Sequence, residues 1–183
     1  MDLDDNGNSR LLPAIRPERP DDYQAIAELV QQAFGRELEA KLVENLRASA
    51  AYLPELALVA TDDRGLLGHI MITTIKISRD AGGTHATTIL APLAVAPDHQ
   101  RTGIGTALTE AALLAARQAG YRSMILVGHP SYYPRFGFRR ASTWGIRYAQ
   151  PIPDDVFMAV ELVPGALTNA AGLVTLPAAF AEA

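Results

Sequence analysis

The segment HQRTGIGTAL, residues 99 to 108, sets Gly103 and Gly105 between an apolar run and a helical pattern. Glycine is entropically costly at a helix start, so two of them suggest a backbone that must come close to a ligand. The N–H groups of residues 101 to 106 fall at the N-terminus of that helix, where orphan donors and partial positive charge suit a phosphate or diphosphate. A dinucleotide fingerprint needs a third glycine where Leu108 stands, and a P-loop needs a Gly-Lys-Ser/Thr that the sequence lacks. An ordinary capped helix after a turn is the alternative reading of the same glycines. Arg101 reads either as a charge-assisted phosphate contact or as a solvated side chain. Of the four histidines, His129 is the nearest titratable group able to take a proton near neutrality, although a histidine at a strand end is more often structural. His85, at a strand start, and His99, in a loop, rank below it.

The elements that would position these groups follow from periodicity. Pro20 and Asp21 signal a helix start, Tyr23, Ile26, Leu29, Val30, Ala33 and Phe34 recur at helical spacing, and Gly35 ends the run. Leu38, Leu42, Val43 and Leu46 form a second stripe, with Glu37, Glu39, Lys41, Glu44 and Arg47 reading as its solvated face. From Leu56, three strand patterns joined by the turns DDRG and RDAGG predict an antiparallel meander. Pro92 inside the third strand cannot donate a ladder hydrogen bond and so implies an edge, a bulge or a break over residues 91 to 93. The helix after the glycine loop carries Ile104, Leu108, Ala112 and Ala115 on one face and closes at Gly120. SMILVG then reads as a short buried strand able to lie parallel to its predecessor. HPSYYPRFGFRR reads as an aromatic turn or short helix, DDVFMAVELV as the last strand, and the tail as apolar enough to pack.

Composition narrows the function classes. A chain of 183 residues with 49% hydrophobic content suits one core, here residues 13–183 behind a tail up to Leu12 expected to be mobile. A net charge of −4 offers no general attraction to nucleic acid or an anionic membrane. The chain has no cysteine, and its histidines at 69, 85, 99 and 129 have no close ligand spacing, so no metal is expected. The acidic, polar N-terminus and the lack of a long apolar run imply a cytoplasmic protein.

The run LAVAPDHQRTGIGTAL resembles the acetyl-CoA-binding segment of the GNAT superfamily of N-acetyltransferases, whose Gln/Arg-x-x-Gly-x-Gly/Ala signature is matched by Gln100, Gly103 and Gly105. YYPRFGF is similar to the family's Tyr-x-x-x-Gly-Phe segment, with Tyr133 ahead of Gly137 and Phe138, and together with GHP it resembles the YhbS-like branch. The resemblance implies a mixed α/β fold with a mostly antiparallel sheet splayed between strands 4 and 5. It also implies acetyl-CoA as cosubstrate and a small-molecule or peptide amine as acceptor, and it leaves a homodimer open. On the same grounds Leu93, Ala94 and Val95 would face the pantetheine arm, while Gln100, Arg101, Thr102, Gly103, Ile104, Gly105 and Thr106 would cradle the pyrophosphate. Tyr133 would be the proton donor to the leaving thiolate, with Tyr132 a packing residue, and a backbone N–H near Leu93 or Ala94 would serve the oxyanion. Family members often carry a glutamate base on the fourth strand, where TTILAPLAV has no carboxylate; His129 is then the candidate base, and a noncatalytic acyl-CoA sensor is the rival reading. Phe34, Gly35, Arg36 and STWGIRY are candidate acceptor walls, Trp144 among them.

Overall fold

The computed structural model describes residues 13–181, and the N-terminal tail expected to be mobile lies outside them. Strand β1 (Ala14–Pro17) leads through a 3-10 turn to helices α1 (Tyr23–Phe34) and α2 (Leu38–Arg47). The meander β2 (Tyr52–Thr61), β3 (Leu66–Arg79) and β4 (Thr84–Val95) follows, then α3 (Ile104–Gln118) and β5 (Ser123–Val127). A 3-10 turn at Tyr133–Phe136 precedes β6 (Arg139–Arg140), β7 (Ile146–Tyr148), β8 (Phe157–Glu161), β9 (Gly172–Val174) and the short α4 (Ala178–Ala181). The sheet runs β1-β2-β3-β4-β5-β8-β6 and is antiparallel along that path except where β5 lies parallel to β4.

Helices cover both faces. Gly35 ends α1 in the left-handed region, φ +70°, with its N–H bonded to Gln31 O at 2.8 Å. Ile26, Val30, Val43 and Leu46 of α1 and α2 pack on Ala57, Val59, Met71 and Ala94 of the sheet. On the opposite face α3 seats Ile104, Leu108 and Ala112 against Leu58, Ile70 and Ile72. That seating needs Gly68, because a Cβ there would stand 2.8 Å from Leu108 Cδ1 and 2.9 Å from Ala94 O. The fourth position of the stripe is Ala116, which is fully buried; Ala115 is only partly covered, because the buried face also takes in Thr109 and Leu113 and is centred on Ala112 and Ala116.

The sheet opens between β4 and β5. Their parallel pairing is confined to Thr88 with Met124 and Ile89 with Ile125. Two buried hydrogen bonds pin the closed end: Thr88 Oγ1 donates to Ser123 O at 2.9 Å, and the Thr87 and Ser123 hydroxyls lie 2.7 Å apart. Beyond Ile89 the strands diverge. The pairing of β3 with β4 slips by one residue between Ile70–Leu93 and Ile72–Leu90, a bulge at Ala91 and Pro92, whose peptide is cis. The expected irregularity at Pro92 is therefore present.

Two sequence expectations are corrected. DDVFMAVELV is not the last strand: β9 pairs with β3 at Ile77–Arg79 and with β7, and Leu167, Ala170 and Val174 join the core with Ile77 and Phe157. Only glycine fits at 172, where a Cβ would fall 2.2 Å from Ser78 O. Nor are the charges of α2 all solvated. Glu39 is buried and paired with Arg36, and Arg47 reaches under the helix pair to Glu18 at 2.8 Å. Glu18 also accepts from His69 Nε2 at 2.8 Å and from Tyr52 Oη at 2.8 Å, so a buried carboxylate, imidazole, guanidinium and phenol tie β1, α2, β2 and β3 together. Burial pushes the Glu18 carboxyl up, but hydrogen bonds from His69, Arg47 and Tyr52 outweigh it and hold the group at about 2.

Candidate active site

A cavity of about 720 Å³ opens where β4 and β5 part. Leu93 and Val95 of β4 form one wall, and Gln100, Arg101, Gly103, Gly105 and Thr106 form the end at α3. The opposite wall is His129, Tyr132, Tyr133 and Arg135, from the segment after β5. Three expected members lie elsewhere. Successive side chains of a strand alternate faces, so Ala94 points away from Leu93 and Val95 into the layer under α1. Ile104 is buried in the α3 core, and Thr102 is absorbed by its own turn, donating to His99 O at 2.6 Å. Spacing alone pointed to neither Tyr132 nor Arg135 as a cavity residue; the signal that could have found them is their place in the same aromatic turn as Tyr133.

The two glycines serve different ends. Gly103 caps α3 at φ +96°, a conformation that favours glycine, and a Cβ there would meet nothing within 4 Å. Gly105 is ordinary helix, yet its Cβ position lies 3.0 Å from Tyr132 Oη and 3.6 Å from Val95 Cγ2, so this is the place of close approach. Arg101 adopts φ +62°, in the left-handed region. Gly103 has no side chain to cap the helix, and the first helical hydrogen bond runs from Ala107 N–H to Gly103 O at 2.9 Å. The amides of Ile104, Gly105 and Thr106 are thus left without a helical acceptor, facing the same end of the cavity as Arg101. Gln100 donates to Val95 O at 3.3 Å, which fastens the loop to the end of β4.

Tyr133 is held by the backbone beneath it. A Cβ on Gly128 would fall 2.4 Å from Tyr133 Cε2, so the ring lies directly on the main chain just after β5. Its other contacts are edge-to-face with Tyr132 at 4.9 Å and with Phe138 at 5.7 Å between centroids. Burial, reinforced by Tyr132, pushes the phenol above its ordinary range, so it carries its proton throughout the neutral range. His129 is exposed at the rim, and its carbonyl accepts from Tyr132 N–H at 3.0 Å. Trp144, a candidate acceptor wall, packs instead beside the cluster of Ile146 and Phe157, with Arg139 stacked over its ring at 4.6 Å. Among the described residues no group of three His, Asp or Glu could hold a metal ion, and no helix is long and apolar enough to cross a membrane.

A splayed mixed sheet with a free helix N-terminus at the mouth of the splay is the architecture of an acyl-CoA-dependent transferase, and residues 14–141 match the acetyltransferase (GNAT) domain model. The chain belongs to the GNAT acetyltransferase family. It is 36% identical over 137 residues to the N-acetyltransferase YjhQ of Escherichia coli, covering 73% of this chain and 74% of that one. It is 32% identical over 161 residues to the N-acetyltransferase YhbS of the same organism, covering 87% and 93% respectively. The crystal structure of Escherichia coli YhbS in complex with CoA superimposes with a TM-score of 0.86 over 95% of this chain and 94% of that one, at 30% identity. A GNAT family acetyltransferase from Brucella melitensis in complex with acetyl-CoA gives 0.74 over 91% and 97%, at 31% identity.

Proposed function

We propose that this protein transfers the acetyl group of acetyl-CoA to a primary amine of a small molecule or peptide. The observation that carries the reading is the cavity itself: one end presents unsatisfied α3 amides and Arg101, and the opposite wall presents a protonated, buried Tyr133. The site fits the cosubstrate, because at Gly103 a Cβ would meet nothing within 4 Å and no side chain occupies the helix cap. Acetyl-CoA supplies an activated acyl thioester and, in its phosphates, the negative charge that such a helix terminus favours.

The residues then divide the work. The α3 amides and Arg101 bind the diphosphate, and Leu93 and Val95 line the path of the pantetheine arm along the free edge of β4. A β4 backbone N–H near Leu93 or Ala94, released from pairing with β5, is the donor for developing negative charge on the thioester oxygen. In the transfer a bond forms between the amine nitrogen and the acyl carbon while the carbon–sulfur bond breaks. His129 takes the proton the amine gives up, and the Tyr133 phenol supplies one to the departing sulfur.

The test is release of CoA thiol with a panel of primary amines, run beside binding of CoA by calorimetry. Amine-dependent thiol release supports the transferase. CoA binding without release for any amine would favour the acyl-CoA sensor, and absence of both would overturn the reading.

A further inference from the structure

A second cavity, of about 780 Å³, opens at the far end of α3 from the active site. The length of the helix, about 22 Å, lies between them, and the two cavities share no lining residue. The second one exists because β3 and β4 run on past the C-terminus of α3. Thr74, Lys76 and Ser78 alternate onto the face that α3 covers at Ile70 and Ile72, and the helix ends at Gln118 before reaching them. Gly120, Tyr121 and Arg122 wall one side as the chain turns back toward β5, and Thr175 and Pro177, after β9, wall the other.

The sheet sets two cations on either side of one small residue. Lys76 stands directly across from Ala86 of β4. Arg122, two residues before Met124, comes alongside the same alanine, because Met124 pairs with Thr88 in parallel register. Ala86 is therefore a floor between cations on flanking strands whose backbones are about 10 Å apart. Both Lys76 and Arg122 are exposed, so their charged ends are open to a ligand. The ion pairs formed by lysine and arginine among the described residues engage Arg16, Arg36, Lys41, Arg47, Arg140 and Arg147, and leave these two out. The charge of Arg122 is felt beyond the cavity: burial first, then the guanidiniums of Arg79 and Arg122, hold His85 below its ordinary range.

The lining matches those cations. Every polar side chain in it can donate a hydrogen bond, and no carboxylate is among them. Burial and then Glu55 raise the Tyr121 phenol, which stays a donor, while Glu55 itself lies outside the lining. An ammonium, a guanidinium and several hydroxyls around one floor select a doubly charged, oxygen-rich group. Ile75, the Tyr121 ring and Pro177 offer an apolar side to whatever carries that group.

We infer that this cavity is a second ligand site, for a phosphate monoester with an organic body, held between Lys76 and Arg122 over Ala86. The site is independent of the transferase reading and stands if that reading fails.

Calorimetric titration with phenyl phosphate tests it, with benzoate and excess CoA as comparisons. Phenyl phosphate binds wild type, benzoate binds about tenfold more weakly or less, and excess CoA leaves the phenyl phosphate affinity unchanged. Lys76→Gln and Arg122→Gln keep the wild-type melting temperature, since both side chains are exposed, and each raises the dissociation constant about 10- to 100-fold, the loss of one charge-assisted hydrogen bond. Ala86→Glu sets a carboxylate on the floor and abolishes binding. Arg140→Gln removes an equal charge from a side chain paired with Asp154 outside the cavity, and leaves binding as it was. Wild type that does not bind millimolar phenyl phosphate overturns the site, and so does unchanged affinity in Lys76→Gln and Arg122→Gln. Displacement by CoA would return the ligand to the α3 amides, equal binding of benzoate would remove the phosphate, and an equal loss in Arg140→Gln would reduce the effect to net charge; each overturns the assignment.

Discussion

At the scale of single residues, atoms a few ångströms apart have separate tasks, and substitutions can tell them apart. Tyr133→Phe keeps the ring on Gly128 and removes only the proton donor, so turnover should fall about 10²–10⁴-fold while CoA binding measured by calorimetry stays close to wild type. If turnover stays within a few-fold under conditions where chemistry is limiting, the proton comes from solvent. Gly128→Ala should resemble it by another route. The added methyl would meet the Tyr133 ring at 2.4 Å and must displace it, so activity falls although no titratable group has changed. At Gly105 a valine meets Tyr132 Oη and Val95 before it meets any ligand, so Gly105→Val should abolish measurable CoA binding in a protein whose circular dichroism remains that of wild type. Equal affinity in the two would remove the first turn of α3 from the binding site.

At the scale of elements, β1, α2, β2 and β3 are braced together around one buried carboxylate. The brace is Glu18, which has a fully buried side chain and accepts hydrogen bonds from His69, Arg47 and Tyr52. Removing one member of a buried charged network leaves the others unpaired, so Glu18→Gln should destabilise the fold by about 3 kcal/mol in denaturant titration. The pH dependence has a definite sign. The carboxyl is lowered from 4.5 to about 2 on folding, so its contribution is complete above 4.5 and is lost as pH falls toward 2. Wild type should therefore lose stability over that interval more steeply than Glu18→Gln. Parallel acid profiles for the two proteins would show that the ionised carboxylate does not brace the sheet.

At the scale of the whole molecule, ligand and fold are linked by mass action. A cosubstrate at about 100 times its dissociation constant adds about 2.7 kcal/mol, which in a chain of this size is about 5–10 °C in melting temperature. Acetyl-CoA should give that rise in differential scanning fluorimetry, while NAD and ATP, whose fingerprints the glycine loop does not match, should give much less. An unmoved curve at saturating acetyl-CoA would contradict the proposed cosubstrate. The relatives YhbS and the Brucella melitensis acetyltransferase, whose structures hold CoA and acetyl-CoA, are the natural positive controls.

The parts legible in the sequence are those governed by neighbours in the chain. Gly35 and Gly103 announce helix ends because cap conformation is a local matter, and Pro92 announces a bulge because a missing N–H disrupts any ladder it joins. The order of elements from α1 to β5, the parallel placement of β5 and the family followed from the same short-range patterns, whereas β9 did not. Tertiary structure decided what depends on partners distant in sequence. Glu18 and His69 stand 51 residues apart, and neither looked like more than an isolated charge or an isolated histidine until β1 and β3 were set on either side of β2. Tyr132 read as a packing residue because its ring does pack; only the approach of α3 brought Gly105 under its hydroxyl. Ala94 carried the opposite lesson: its place in the motif suggested the cavity, and strand alternation turned it into the core under α1. A motif specifies which residues come near a ligand along the chain, whereas which atoms face it depends on the pleat, the helix seating and the packing of elements against one another.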